Sequence, residues 1–281
     1  MIKKHFVILS IILCVTYSSS YAQKEFIYKQ VDTTRLSMEV YFPPDLDSKQ
    51  SYPAMVFFFG GGWKGGSRHQ FLHHAEYFSK RGIICFLADY RVESKHKTSP
   101  FESLKDAKSA IRYIRKNAAN YNMDASKIIA SGGSAGGHLA AATAFIDDYN
   151  ESTDDLSVSC VPNALVLFNP VIDNGPGGYG YERVKEEYKN FSPLHNIKTG
   201  APPTIFFLGT NDRLIPVETA QYYKVVMERV NSRCDLKLYE GQGHGFFNYK
   251  NIKNYKSTVS EADKFLQSIN YLNPKSVLNI K

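Results

Sequence analysis

Apolar positions in this chain fall into short runs separated by longer amphipathic stretches, and their spacing predicts strands alternating with helices. Phe26–Val31 and Leu36–Phe42 read as two opening strands around the turn-forming Asp32-Thr33-Thr34, and Pro43-Pro44 ends the second. Ala54–Phe59 is a continuous apolar run, as expected of a strand buried on both faces. Ile83–Ala88, Ala164–Phe168, Thr204–Leu208 and Leu236–Tyr239 are predicted strands as well. Residues 71–81 are predicted helical until Gly82 stops them. Phe101–Asn117 places Ala107, Ala110, Ile111, Ile114 and Ala118 on one helical face. Val217–Val230 and Asn254–Leu272 are the last predicted helices. This alternation implies an α/β fold, a mostly parallel sheet of about eight strands with helices on both faces. Residues 173–201, rich in Gly and Tyr, break the rhythm as a long excursion.

One junction in the pattern carries candidate chemistry. Ile128-Ile129-Ala130 is strand-like, Ala135–Ala141 is alanine-rich and helical, and Gly132-x-Ser134-x-Gly136 lies between them. A turn that tight forces its central residue into a strained backbone and tolerates little side chain around it. Gly132, Gly133, Ala135 and Gly136 all meet that demand. The helix N-terminus favours negative charge on the serine oxygen. Sites on wound sheets lie at the carboxyl ends of the strands, so Ser134 and the loops after Phe59, Phe168, Leu208 and Tyr239 open on one edge.

A serine hydroxyl needs a base, and the base needs an orienting acid. His244, in Gly241-Gln242-Gly243-His244-Gly245-Phe246, is the candidate base, because glycines on both sides let the loop carry its ring to the serine. Asp212, in Gly209-Thr210-Asn211-Asp212, is the candidate acid, with Asp173 as competitor because it also leaves a strand end. The backbone N–H groups of Gly61, Gly62 and Ala135 are candidate donors to a developing oxyanion. His138, one helical turn behind Ser134, reads as a packing residue.

Composition adds boundaries. Lys3 and Lys4, the apolar stretch Phe6–Val15 and the small residues of Ser20-Tyr21-Ala22 predict a signal peptide over residues 1–22. Residues 23–281 then form one domain. The apolar stretch is too short for a good membrane span. The expectation is a secreted or periplasmic protein, the alternative being an anchor through an uncleaved leader or a lipidated Cys14. Net charge is +7, two of it in the leader, and the basic residues are scattered. No basic helix carries interleaved aromatics, which argues against a nucleic-acid partner. Cys85, Cys160 and Cys234 show no metal or redox spacing, and an odd number leaves one unpaired.

The motifs Gly60-Gly61-Gly62-Trp63, Asp89-Tyr90-Arg91, Gly132–His138, Gly209–Asp212 and Gly243–Phe246 together resemble those of a serine esterase of the α/β-hydrolase fold. The resemblance covers nearly all of residues 26–272. It is nearest to the hormone-sensitive-lipase-like and the acetyl-xylan or feruloyl esterase branches. Phe59 departs from the pattern, since many relatives carry His before the three glycines. The resemblance implies an acyl-enzyme on Ser134, no metal or organic cofactor, and an ester substrate bearing short acyl or feruloyl groups on plant-type carbohydrate. Trp63, Tyr179 and Tyr181 are candidate substrate contacts, as aromatic faces with polar tips suit sugar and feruloyl rings. A prolyl-oligopeptidase-like peptidase, an acyltransferase and a non-catalytic binding protein on the same scaffold are the rival expectations.

Overall fold

The structure, a computed structural model, describes residues 23–274. The predicted leader and Cys14 lie outside the described residues. Eight strands form one sheet: β1 (Gln23–Val31), β2 (Thr34–Tyr41), β3 (Tyr52–Phe58), β4 (Ile84–Ala88), β5 (Met123–Gly133), β6 (Ala164–Phe168), β7 (Thr204–Gly209) and β8 (Cys234–Tyr239). Their order is β1-β2-β4-β3-β5-β6-β7-β8. The two pairings made by β2 are antiparallel and the rest are parallel. The helices are α1 (Leu72–Lys80), α2 (Glu93–His96), α3 (Pro100–Lys116), α4 (Ala135–Phe145), α5 (Tyr181–Val184), α6 (Tyr188–Phe191), α7 (Val217–Arg229) and α8 (Ile252–Ser268).

The chain steps outward from β3 to β4, then returns to β5 on the other side of β3 and winds on to β8. That reversal leaves a crevice at the carboxyl ends of β3 and β5. The period-two alternation of β3 explains the layers. Ala54, Val56 and Phe58 face one core with α3, α4 and α7, while Met55 and Phe57 face the other with α1 and α8.

Local chemistry sets the ends of the elements. α3 starts at Pro100, one residue before the predicted start, because Ser99 and Glu102 form a reciprocal capping box and Pro100 occupies the first turn. α8 stops at Ser268 rather than at Leu272. Asn270 takes a left-handed φ of 61°, and the Tyr271 N–H turns back to the Leu266 carbonyl at 2.9 Å. The Asp89-Tyr90-Arg91 motif is structural. Arg91 and Lys29 both bind Asp106, which is fully buried, and Asp89 pairs with Arg68 at 3.0 Å. Phe59 packs at 3% exposure, its ring stacked 4.1 Å from Tyr90, whose hydroxyl donates to the Phe59 carbonyl.

His74 is one of several buried side chains with unpaired polar atoms. It is fully buried among Phe71, Phe168 and Tyr255, and neither ring nitrogen has a hydrogen-bond partner among the described residues. Burial, and then the charge of His73, push its pKa down to about 3. The folded state therefore resists protonation that the unfolded chain accepts from about pH 6.5 downward. Stability is present above that pH and falls by about 1.4 kcal/mol per unit toward pH 3. In His74→Leu, proton uptake on unfolding between about pH 6 and 4 should drop by about one, while stability at pH 7 stays within about 1.5 kcal/mol of wild type. Denaturant titrations across that range measure both. An unchanged pH slope would refute the assignment.

Candidate active site

β5 delivers the chain to Ser134, and α4 begins one residue later. Ser134 has φ 54° and ψ −120°, a conformation that L-residues rarely adopt. Its neighbours hold it there. Its N–H donates to the Phe168 carbonyl at 3.0 Å, and its carbonyl accepts from His138 at 2.9 Å and Val171 at 3.1 Å. The small residues around it answer to close packing. A methyl group at Gly136 would lie 2.0 Å from the Phe58 oxygen, and one at Gly132 would lie 2.3 Å from the Gly136 oxygen.

The loops after β7 and β8 complete the relay. Ser134 Oγ lies 2.8 Å from His244 Nε2, and His244 Nδ1 lies 2.7 Å from Asp212 Oδ2. The Asp212 side chain is fully buried, and its Oδ1 accepts from the Leu214 and Ile215 N–H groups at 2.9 and 3.1 Å. Because the carboxylate only accepts, Nδ1 carries the ring proton and Nε2 presents its lone pair to the serine. Asp173 does not reach this site. Its Oδ1 accepts from the Gly175 N–H at 2.8 Å and lies 3.9 Å from His195. His138 is buried, with Nε2 3.0 Å from the Phe191 carbonyl.

Gly61 and Gly62 take φ of 131° and 64° on the loop after β3. Among the described residues, none accepts from the N–H of Gly61, Gly62 or Ala135. The Gly61 carbonyl accepts from the Lys64 and Gly65 N–H groups at 3.1 and 3.3 Å. That turns the Gly62 N–H of the same peptide the opposite way. These glycines, Ser134, His244 and Tyr179 line a pocket of about 250 Å³. Trp63 and Tyr181 are absent from its lining, which corrects their expected placement. Trp63 has φ 57°, is 1% exposed, and packs against His138, Tyr179 and Phe191. The Tyr181 hydroxyl donates to Glu186 at 3.1 Å, within the excursion.

The structure adds three polar residues. Asn169 is buried, its Nδ2 lies 3.3 Å from His244 Nε2, and its Oδ1 accepts from the Gly245 N–H at 3.0 Å. Gln70 accepts from the Gly60 N–H at 2.7 Å and donates to Asn248 at 2.9 Å; Asn248 donates to the Gly245 carbonyl at 2.7 Å. The oxyanion loop and the histidine loop are thereby tied together. Asn169 follows a strand end beside Ser134, a detectable signal, whereas Gln70 and Asn248 carry none. Among the described residues, no group of His, Cys, Asp and Glu could hold a metal ion, and the three cysteines are buried and free.

The BD-FAE family model matches residues 38–175, and that of the dienelactone hydrolase family matches residues 164–275. The apo structure of Thermogutta terrifontis esterase 2 is 43% identical, with a TM-score of 0.86, and the match covers 90% of this chain and 97% of that one. This chain belongs to the α/β-hydrolase-fold esterase family. The butyrate-bound form of the Thermogutta esterase is 40% identical, with a TM-score of 0.86, over 92% of this chain and 98% of that one. An acetylxylan esterase of Xylanibacter ruminicola is 26% identical over 92% of this chain and 53% of its own length. A probable isoprenylcysteine alpha-carbonyl methylesterase of Arabidopsis thaliana is 27% identical over 81% of this chain and 52% of its own. The chain thus spans about half the length of these curated relatives.

For an esterase of this family the geometry separates the two acids. Asp212→Asn should lower kcat roughly 10⁴-fold, because the ring loses the correct tautomer and the counter-charge. Asp173→Asn should leave turnover close to wild type. Ester hydrolysis by two folded variants decides the matter, and the reverse ranking would make Asp173 the relay acid.

Proposed function

We propose that the protein is a carboxylic-ester hydrolase that works through an acyl-enzyme. On this reading it removes short acyl groups, acetyl above all or feruloyl, from plant-type carbohydrates. The observation that carries the reading is the unbroken Asp212–His244–Ser134 relay, with links of 2.7 and 2.8 Å, beside three N–H groups without acceptors among the described residues.

Ser134 Oγ attacks the ester carbonyl while His244 Nε2 takes its proton. Asp212 holds the ring and stabilises the resulting imidazolium. The carbonyl oxygen becomes negative as its π bond breaks, and the amides of Gly61, Gly62 and Ala135 receive it. Each such donor contributes roughly 2.7–4 kcal/mol to the transition state. Collapse expels the alcohol, which leaves with the proton from His244. Water then repeats the sequence and releases the acid. The intact relay favours an active enzyme over a dead scaffold, and an acyltransferase would differ only in the final acceptor.

Several observations support short acyl groups and sugar alcohols. The pocket of about 250 Å³ is small for a ligand site. The Thermogutta esterase has been seen with butyrate and with propionate bound. A relative over most of the chain is an acetylxylan esterase. Tyr179, an aromatic ring with a polar tip, lines the pocket. Export by residues 1–22 would bring the enzyme to polymers outside the cytoplasm.

Fluorophosphonate should label wild type and not Ser134→Ala, whose ester turnover should fall by several orders of magnitude. Across aryl esters, activity should peak at acetyl to butyryl. Acetylated xylo-oligosaccharides should exceed a simple acetyl ester of similar leaving group in kcat/KM. Preference for long chains, for aminoacyl amides or for prenylcysteine methyl esters would overturn the carbohydrate reading.

A further inference from the structure

The oxyanion loop is held by more than local contacts. Gly61, Gly62 and Trp63 follow one another with φ of 131°, 64° and 57°. The glycines adopt such angles freely, but a tryptophan there is strained. The Gly61 carbonyl is tied locally, by Lys64 and Gly65. The next peptide is tied from far away. Its carbonyl, that of Gly62, accepts from Arg183 Nη1, 121 positions later in the chain.

Arg183 is built into this role. It sits in the excursion with its side chain 16% exposed. Its guanidinium carbon lies 5.3 Å from the Trp63 ring centroid and 5.4 Å from that of Tyr179. These two cation–π contacts hold the guanidinium where its Nη1 reaches the Gly62 carbonyl. The excursion also buries the indole. A methyl group at Gly180 would lie 2.9 Å from Trp63, and Phe191 closes another side. On its far flank the strained turn receives N–H groups from Glu93 and Ser94, which donate to the Trp63 and Lys64 carbonyls at 2.9 Å each. Arg183 does not line the Ser134 pocket; it borders the neighbouring hollow with Glu93 and Lys97.

We propose that Arg183 is a positioning residue of the oxyanion hole, and that through it the excursion holds the strained Gly62–Trp63 peptide in its working orientation. Without the cation, ψ of Gly62 and φ of Trp63 can relax, and the adjoining Gly61–Gly62 peptide, whose N–H faces the developing oxyanion, loses the support of the residue that follows it. The catalytic half of this proposal rests on the esterase reading above; the conformational half does not.

The test compares wild type with Arg183→Met and Arg183→Lys, using a small aryl acetate and amide hydrogen exchange. In Arg183→Met, kcat should fall roughly ten- to a hundredfold, as expected when a donor is misplaced rather than removed. KM should move little, because Arg183 does not line the Ser134 pocket. Arg183→Lys should recover part of kcat, since it restores a cation without the planar fork. The N–H groups of Glu93 and Ser94 should exchange faster in Arg183→Met while the sheet keeps wild-type protection. If that variant does not fold, Arg183→Lys should show the same two changes at smaller size. Should wild type hydrolyse no ester while exchange still rises, the esterase reading fails and the clamp stands. Unchanged kcat with unchanged exchange would overturn the proposal. A raised KM with unchanged kcat would also overturn it, by making Arg183 a substrate contact.

Discussion

Helix α4 crosses the end of β3 so closely that a methyl group on Gly136 would sit 2.0 Å from the Phe58 oxygen and 2.3 Å from the Phe59 oxygen. Much of the site depends on that approach. It brings the helix N-terminus, with Ser134 at its cap, beside the loop that leaves β3. Nucleophile and oxyanion loop are thus placed by one backbone contact rather than by two independent devices. The same approach leaves Ser134 little choice of conformation. Its φ of 54° persists because Phe168 and Val171, on the neighbouring strand end, take both of its backbone polar groups.

The rest of the relay inherits its precision from the sheet. Asn169 N–H donates to the Phe207 carbonyl at 2.7 Å, and Thr210 N–H to the Tyr239 carbonyl at 3.0 Å. Each loop is therefore fixed at its root to the next strand before it reaches the site. Beyond the roots, polar side chains take over. Gln70, Asn248 and Asn169 connect three loops through hydrogen bonds of 2.7–3.0 Å. Asn169 is buried and the other two are half-buried, so leaving these groups unpaired is costly and the network favours one arrangement over its alternatives.

The central strands were legible in the sequence because a strand buried on both faces reads as an uninterrupted apolar run, and Val56–Phe59 leaves no other interpretation. Ser134, Asp212 and His244 were legible for a different reason. Each stands in a short glycine-containing turn after a predicted strand, and the fold sends those turns to one edge. Element ends were less clear, as at α8, where Asn270 performs a stop that glycine usually signals. Trp63 misled because adjacency in sequence to Gly62 suggests adjacency to substrate. Three consecutive positive φ values turn its indole into the packing beneath the excursion instead. Gln70, Asn248 and Arg183 were invisible because each role depends on a partner 121 or 178 positions away.

Two halves of the site thus rest on unequal supports. Ser134 and Asp212 follow the buried ends of the inner parallel strands β5 and β7, where local opening approaches the cost of global unfolding, and His244 follows the half-buried edge strand β8. The oxyanion turn has a glycine-rich backbone. It is held from outside by an excursion of one-turn helices, which isolated sequence could not sustain. That excursion also supplies Tyr179 to the pocket lining. One segment thus supplies both Tyr179, which lines the pocket, and Arg183, which holds the Gly62 carbonyl beside it. On the clamp proposed above, a change in 173–201 that moves Arg183 would disturb the oxyanion turn while leaving the strands that carry Ser134 and Asp212 in place.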